Sequence, residues 1–486
     1  MKIVVTGTRG IPNIMGGVET HCEELFPRMV ERGFDVTVIR RSNYVKDDLT
    51  EWKGVKLETI ASPKKKSLEA IIHTFRAINK AKKMGADVVH IHAIGPALLV
   101  PYAKLLGMKV VFTHHGPDYD RDKWGFAAKT MLKLGERMGC MFADDIIVIS
   151  NVIKDLIARK YGRTKRVHLI YNGVSTPEIC DYPEYFEELG IEPGKYILGM
   201  CRFVPEKNLH HLVEAFVKWK NSPTDLTENT DSSISNVKDF SNTNNTNCTN
   251  ASLDVSMNHE SNESDEWSEK NNKNTREACS LSTKVSYDDS ASSACKQAYA
   301  ATTDSSSMPL HGICMPHEQK HRFAQKHNLA DGIPENATQN IKPNTQNIKL
   351  VLAGDTDFED AYSLGLKEMA RKNGVVLTGF IKGRKLHSLL TNCRCYCLPS
   401  SHEGLPIALL EAMSYGVKVI VSDIPANLEV GLPKDDYFHC GDVDELATKL
   451  GKIIASPLEH VDYDMKKYDW EKIADEVAEV YKSLKR

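Results

Sequence analysis

The 486-residue sequence has no run of about 18 apolar residues, so no helix is expected to cross a bilayer. It opens on Met1-Lys2-Ile3-Val4-Val5, a buried strand with no charged leader or apolar core ahead of it, which reads against export. The 12 cysteines follow no zinc-ribbon spacing, and reduced thiols in a cytosol are the expected state. A formal charge of −3 gives no global basic field, and with it no general drive toward nucleic acid. The first strand leads into neither G-x-G-x-x-G nor a Walker A lysine, so the two commonest phosphate loops are absent there. With 41% hydrophobic and 26% charged residues, the chain is neither collagen-like nor disordered throughout, and its length implies more than one domain.

Short apolar runs alternate with amphipathic stretches, as in βαβ units on a parallel sheet. Strands are expected at Ile3 to Val5, Val36 to Ile39, Val88 to Ile91, Val110 to Thr113, Ile146 to Ile149 and Val167 to Ile170, with helices such as Glu19 to Arg32 and Leu68 to Met84 between them. A second series runs from Tyr196 to Cys201 and resumes at Lys349 to Ala353, Val375 to Thr378, Cys395 to Leu398, Val417 to Ser422 and Tyr437 to His439. The fold class is α/β, with two doubly wound, Rossmann-like halves. From 221 to 347 the chain turns to Asn, Ser, Thr and Asp and cannot bury enough apolar surface to order itself, so a disordered insertion is expected, with a short helix near His317 to His327. It follows a helix and precedes a strand, which places it at the sheet edge opposite the ligand-binding one. Cys393, Cys395 and Cys397, spaced by two, are expected on one buried strand face.

Gly16 and Gly17 stand at a helix entrance, where backbone N–H groups approach an anion or simply make a turn. Arg202 and Lys207 follow a strand and precede a helix, so they project from the sheet edge as two cations suited to a diphosphate or as a solvated pair. The most specific phrase is Glu403-Gly404-Leu405-Pro406-Ile407 followed by Glu411 inside an apolar helix, where a carboxylate needs a partner such as a sugar hydroxyl.

On these residues the chain resembles the retaining glycosyltransferases of family four, which have the GT-B fold of two Rossmann-like domains facing a cleft. Glu403 and Glu411 match that family's E-x7-E element, and Arg202 and Lys207 its R-x4-K element. Asp87 to His92, Tyr171 to Val174 and Tyr468-Asp469-Trp470 extend the likeness, and the opening Gly-Thr-Arg-Gly-Ile-Pro phrase is similar to bacterial enzymes that build surface polysaccharide. Leu405-Pro406 departs from the Phe-Gly that many members carry. The resemblance implies domains at 1–178 and 179–464, a helix at 465–486 crossing back to the first domain, and transfer of a sugar from a nucleotide-sugar to a saccharide or lipid-linked saccharide. It further implies that Arg202 and Lys207 grip the diphosphate and Glu411 the ribose. Glu403 and the backbone of Gly404, Leu405, Pro406 and Ile407 would hold the transferred sugar, while Gly16 and Gly17 approach across the cleft. Thr113, His115 and Gly116 match a Thr-x-His-Gly pattern, which makes His115 the residue facing sugar or acceptor, with Asp118, Asp120 and Asp122 on the next loop toward an acceptor hydroxyl. No metal or other cofactor is required.

Other readings stay open on the residues themselves. Asp355-Thr356-Asp357 has the form of a metal-binding D-x-D, a form that recurs by chance elsewhere in the chain. Arg40-Arg41 after the second strand suits the 2′-phosphate of NADP in an oxidoreductase, and the polar tract suits a catalytically idle binding module. Lysines 64 to 66 and the helix after them, with Leu68, Ile71, Ile72, Phe75 and Ile78, fit either peripheral contact with the inner leaflet or a helix covering the sheet.

Overall fold

The structure is a computed structural model that describes residues 1–63, 66–121, 125–222 and 347–485. The polar tract, apart from its edge residues 221, 222 and 347, lies outside the described residues together with its expected short helix, and so do Lys64, Lys65 and Asp122.

Strands β1 (Lys2–Thr6), β2 (Asp35–Arg41), β3 (Glu51–Trp52), β4 (Val55–Ile60), β5 (Val88–His92), β6 (Lys109–His114), β7 (Asp145–Val148) and β8 (Val167–Leu169) make one sheet, in the order β3-β4-β2-β1-β5-β6-β7-β8. All pairs are parallel except β3 with β4. Helices cover both faces, so the central strands are continuous apolar runs; Ile3, Val4 and Val5 are fully buried. The β3–β4 hairpin escaped the sequence reading because β4 alternates Val55 and Leu57 inward with Lys56 and Glu58 outward, a pattern too short and polar to stand out.

The second sheet holds β9 (Tyr196–Met200), β10 (Lys349–Ala353), β11 (Val376–Gly379), β12 (Cys395–Leu398), β13 (Val419–Ser422) and β14 (Tyr437–Phe438), in the order β11-β10-β9-β12-β13-β14 and wholly parallel. The molecule is thus a pair of Rossmann-like lobes. The cysteine expectation needs one correction: Cys395 and Cys397 do share a buried face of β12, but Cys393 ends the preceding helix and packs into the core on the sheet's other side. All three are free thiols, and among the described residues no cluster of His, Cys, Asp or Glu is placed to hold a metal ion.

Helix α1 (Gly17–Glu31) and the chain's last helix, Trp470–Ser483, pack together on the first sheet, burying Leu25, Phe26, Ile473, Val477 and Tyr481 in one apolar core. Arg28 and Arg32 pair with Glu471 on the outside of that contact. The chain crosses between lobes near Asn172 and again near Tyr468, where Val174 N–H donates to the Tyr468 carbonyl at 2.8 Å. The polar tract leaves helix α7 (Leu209–Asn221) and rejoins at β10, a helix-to-strand connection at the amino edge of the second sheet. Among the described residues no helix is long and apolar enough to cross a membrane.

Candidate active site

Each sheet reverses its strand order once, between β1 and β5 in the first and between β9 and β12 in the second. Loops leaving the carboxyl ends of such strand pairs diverge and open a crevice between them. In the second lobe the two diverging loops are those carrying Arg202 and Lys207, after β9, and Glu403, after β12.

The two loops are laced together. Ser401 N–H donates to the Glu206 carbonyl at 2.9 Å, and the Asn208 side-chain amide donates to the Pro399 carbonyl at 3.2 Å. Asn208 holds a left-handed backbone at φ 49°, which turns the chain from the Pro205–Lys207 turn into α7. This lacing brings the Lys207 ammonium onto the Glu403 carboxylate, both largely withdrawn from solvent. Arg202 makes no side-chain hydrogen bond or ion pair with the described residues, and burial, then the nearby guanidiniums of Arg9 and Arg121, pull its pKa below the usual value. Glu19 and Asp357 act on it more weakly in the opposite sense, and a desolvated guanidinium with no partner among the described residues is poised for an anion.

Glu411 lies on the helix Ile407–Ser414, between Leu410 and Ala412 of the core. Its carboxyl likewise has no hydrogen-bond partner among the described residues. Desolvation, reinforced by Glu24 across the cleft and opposed by Lys382, raises its pKa to about 7. Leu405 is buried in the core and offers only backbone: its carbonyl accepts from the Asn172 amide at 3.0 Å. Gly404 sits where a Cβ would lie 2.0 Å from the His115 carbonyl oxygen, so glycine there lets the loops of the two lobes touch.

The facing wall has a different chemistry. Gly16 takes φ 149° at the start of α1, and a Cβ on it would lie 2.1 Å from Glu19 Oε2, while Gly17 faces open space. Glu19 accepts from Arg9 N–H at 3.0 Å and Thr8 Oγ1 at 3.2 Å, so it folds the glycine loop back over the helix entrance. Behind this loop four imidazoles pack together: His90 tilted against His92 at 4.2 Å, His92 stacked on His115 at 5.3 Å, and His21 edge-on to His115 at 5.2 Å between ring centroids. His92 Nδ1 and His115 Nε2 share a hydrogen bond of 2.9 Å, and His21 Nδ1 bonds Asn172 Oδ1 at 3.0 Å. Burial lowers the pKa of His21 to about 4 and of His90 to about 3, and holds His115 well down, helped by His21, His114 and His90. The stack is therefore uncharged at neutral pH.

His114 anchors the same loop from below. Its Nδ1 accepts from Gly116 N–H at 3.1 Å, so its other nitrogen carries the proton and donates to Glu136 at 3.0 Å. Burial alone would raise the pKa of Glu136; hydrogen bonds from His114, Lys160 and Tyr161 override it and bring the value to about 2. Of the expected acceptor aspartates, Asp118 pairs with Arg121 at 2.8 Å and Asp120 is exposed.

Charged side chains also join the walls, in contacts not foreseen from the sequence. Arg9 pairs with Asp357 at 2.8 Å, Glu23 with Lys382 at 2.9 Å and Arg121 with Glu206 at 3.2 Å. Glu429 accepts from the N–H groups of Asn151 at 2.5 Å and Val152 at 3.1 Å, capping helix α5 (Asn151–Tyr161) of the other lobe. Two alternatives lose their residues to such contacts. Asp355 is held by Lys367 at 2.7 Å while Asp357 holds Arg9, so the D-x-D carboxylates serve separate cations. Arg40 is buried on Asp47 at 2.7 Å, and Arg41 is buried with a bond to the Gly7 carbonyl at 3.1 Å.

Comparison with known proteins agrees with this fold. Residues 15–178 match the model of Glycosyltransferase Family 4, and residues 324–482 that of Glycosyl transferases group 1. An uncharacterised glycosyltransferase of Methanocaldococcus jannaschii is 31% identical over 147 residues, which are 28% of this chain and 37% of that protein. The match thus spans 37% of the length of that relative and 20% of a second, an MMP alpha-(1->4)-mannosyltransferase of Mycolicibacterium hassiacum. Among solved structures, sucrose-phosphate synthase from Thermosynechococcus elongatus superposes with a TM-score of 0.61 at 14% identity, over 99% of this chain and 98% of that one. Anabaena HepE in complex with UDP-glucose gives 0.58 at 14% identity over 99% and 100%. At such identities the likeness is one of fold, and that fold is GT-B.

Proposed function

We propose that this GT-B chain is a glycosyltransferase that moves a sugar from a nucleotide-sugar donor to a saccharide or lipid-linked saccharide. The observation that carries the proposal is the convergence of Arg202 and Glu411, neither with a hydrogen-bond or ion-pair partner among the described residues, and of the paired Lys207 and Glu403 on one sheet edge, facing a second wall whose packed imidazoles are neutral. Breaking the bond between sugar and nucleotide leaves growing negative charge on the diphosphate. Arg202 and Lys207 stand fixed where that charge appears, and prepositioned cations stabilise a transition state without reorganising. Glu411 accepts ribose hydroxyls as a carboxylate. When donor phosphate draws Lys207, Glu403 is released to bond the hydroxyls of the transferred sugar.

The transfer is proposed to retain anomeric configuration by front-face displacement. The acceptor oxygen bonds to the anomeric carbon as the phosphate oxygen leaves from the same face, and that oxygen takes the acceptor proton. A neutral His115, held by His92, offers the sugar hydrogen bonds rather than charge. Both matched models are of glycosyltransferase domains, and HepE, described with UDP-glucose, shares the fold; these support the reading and favour a UDP-sugar first. Surface-polysaccharide assembly is the proposed setting, on the strength of the opening Gly-Thr-Arg-Gly-Ile-Pro phrase. The test is a thermal-shift screen against UDP-, GDP-, dTDP- and ADP-sugars followed by transfer assays. A tight donor raises Tm by mass action, and a chain that responds to no nucleotide-sugar is not this enzyme.

A further inference from the structure

The first lobe carries a surface that the proposed transfer does not use. Helices α2 (Lys66–Lys83), α3 (Val100–Leu105) and α4 (Phe126–Phe142) form one layer on the first sheet. Phe75 of α2 stacks on Tyr102 of α3 at 4.9 Å, Tyr102 OH donates to Asn79 at 2.9 Å, and Lys82 reaches the Leu106 carbonyl at 2.8 Å. Gly135 and Gly139 let α4 settle on the Ile94 carbonyl and the Phe112 ring.

The outer side of this layer is at once apolar and basic. Seven of the fourteen exposed large hydrophobic residues among those described belong to these three helices, led by Phe126 at 88%, Leu105 at 83% and Met141 at 52% exposed. On α4 the exposed positions Phe126, Met131, Leu134 and Met141 recur at helical spacing, so they form a stripe along its solvent face. The three helices hold just two acids, Glu69 and Glu136, and both are buried, whereas Arg76, Lys82, Lys83, Lys133 and Arg137 are exposed. An apolar stripe flanked by cations with no exposed acid complements a surface that is apolar below and anionic at its face, and a contiguous apolar area of this kind marks a contact site.

We propose that the α2–α3–α4 face rests on an anionic lipid surface, with α4 lying in the headgroup plane. This differs from the sequence expectation in which helix does the work: Ala77 and Ile78 of α2 are buried against the sheet, so that helix contributes its cations and α4 the apolar stripe. Helices of a parallel sheet run back against the strands, so Phe126 lies at the cleft edge, close in sequence to Asp118 and Arg121. The face would then hold the cleft mouth at the membrane, where a lipid-linked acceptor arrives. The inference rests on the transfer reading for that purpose alone.

The test is co-sedimentation of the full chain with vesicles of phosphatidylglycerol and phosphatidylcholine in equal parts, and with phosphatidylcholine alone. Binding is expected to the mixed vesicles, to weaken as salt rises, and to be at least about tenfold weaker with phosphatidylcholine alone. The variant Phe126→Ser/Leu134→Ser/Lys133→Glu/Arg137→Glu should lose at least about tenfold of that binding, and the separate variant Lys82→Glu/Lys83→Glu should move it the same way. Both should keep the wild-type Tm rise with donor, which shows that they fold and that the cleft is intact. A wild-type chain that stays in the supernatant overturns the proposal, as does either folded variant that binds like wild type. Loss of the donor response in the wild-type chain would instead count against the transfer reading and leave the vesicle result standing.

Discussion

The two walls of the cleft solve one problem in opposite ways. The second lobe gathers charge: Arg202 and Glu411 have no hydrogen-bond or ion-pair partner among the described residues, and Lys207 and Glu403 neutralise each other. The first lobe sends Arg9, Glu23 and Arg121 across to pair with the second, but behind them it packs four imidazoles deep enough that burial keeps them neutral. A phosphate leaving group needs cations already in place, whereas a sugar held near the reacting carbon needs hydrogen bonds that do not compete for those cations. The contrast teaches that one wall is suited to the departing half of the donor and the other to the carbohydrate.

The largest break in that contrast comes from the charged wall. Arg202→Ala and Lys207→Ala should each reduce kcat/KM for donor at least about a hundredfold if their contacts tighten in the transition state. They should differ in stability: Arg202→Ala leaves no partner stranded, whereas Lys207→Ala leaves the Glu403 carboxylate buried and unpaired and should lower Tm. Calorimetry beside kinetics separates the two, and equal Tm changes would contradict the pairing. Gly404→Ala comes next, because its methyl meets the His115 carbonyl at 2.0 Å and forces the walls apart; a drop of about tenfold or more in turnover is expected for a displacement on the ångström scale.

Two pH measurements sharpen the comparison further. In the proposed donor complex ribose hydroxyls donate to the ionised form of Glu411, so donor affinity should fall as pH drops through about 7, and Glu411→Gln should flatten that profile while weakening binding. The sign for stability is opposite. A carboxyl whose folded pKa lies above its unfolded value favours the fold at low pH and loses that contribution as pH rises through about 7. Glu411→Gln should therefore be the more stable protein at pH ~8 relative to pH ~5, read from Tm. The histidine wall behaves in reverse. Its depressed pKa values contribute stability above the ordinary imidazole range that is lost as pH falls toward about 4 for His21 and about 3 for His90. His90→Gln should show the smallest effect, a slightly lower acid sensitivity in circular dichroism with turnover little changed near neutrality.

The same two walls were unequally legible in the sequence. The charged wall follows from local spacing: two residues five apart after a strand, and two carboxylates eight apart around a helix start. The switch point between β9 and β12 then brings both loops to one edge. The neutral wall is assembled from His21, His90, His92 and His115, which lie on three elements and become a stack only when β1, β5 and β6 are adjacent. In the sequence His90 and His92 are merely alternate residues of a strand. The cross-cleft pairs are less visible still, since Arg9 and Asp357 are 348 positions apart. Glu136 left a faint signal, as the lone acid in an otherwise basic helix.

Glu429 gives the junction of the lobes a mechanical meaning. The first turn of α5 has N–H groups that its own backbone cannot satisfy, and the lobe that needs the acceptor is not the lobe that supplies it. Swinging the halves apart strips the Asn151 and Val152 N–H groups of their acceptor while Ser150 keeps its bond to Ile153 N–H, so separation is resisted from within a secondary-structure element rather than at the surface alone. A fragment ending before residue 429 would leave the first two N–H groups of α5 to water, with Ser150 as its remaining cap.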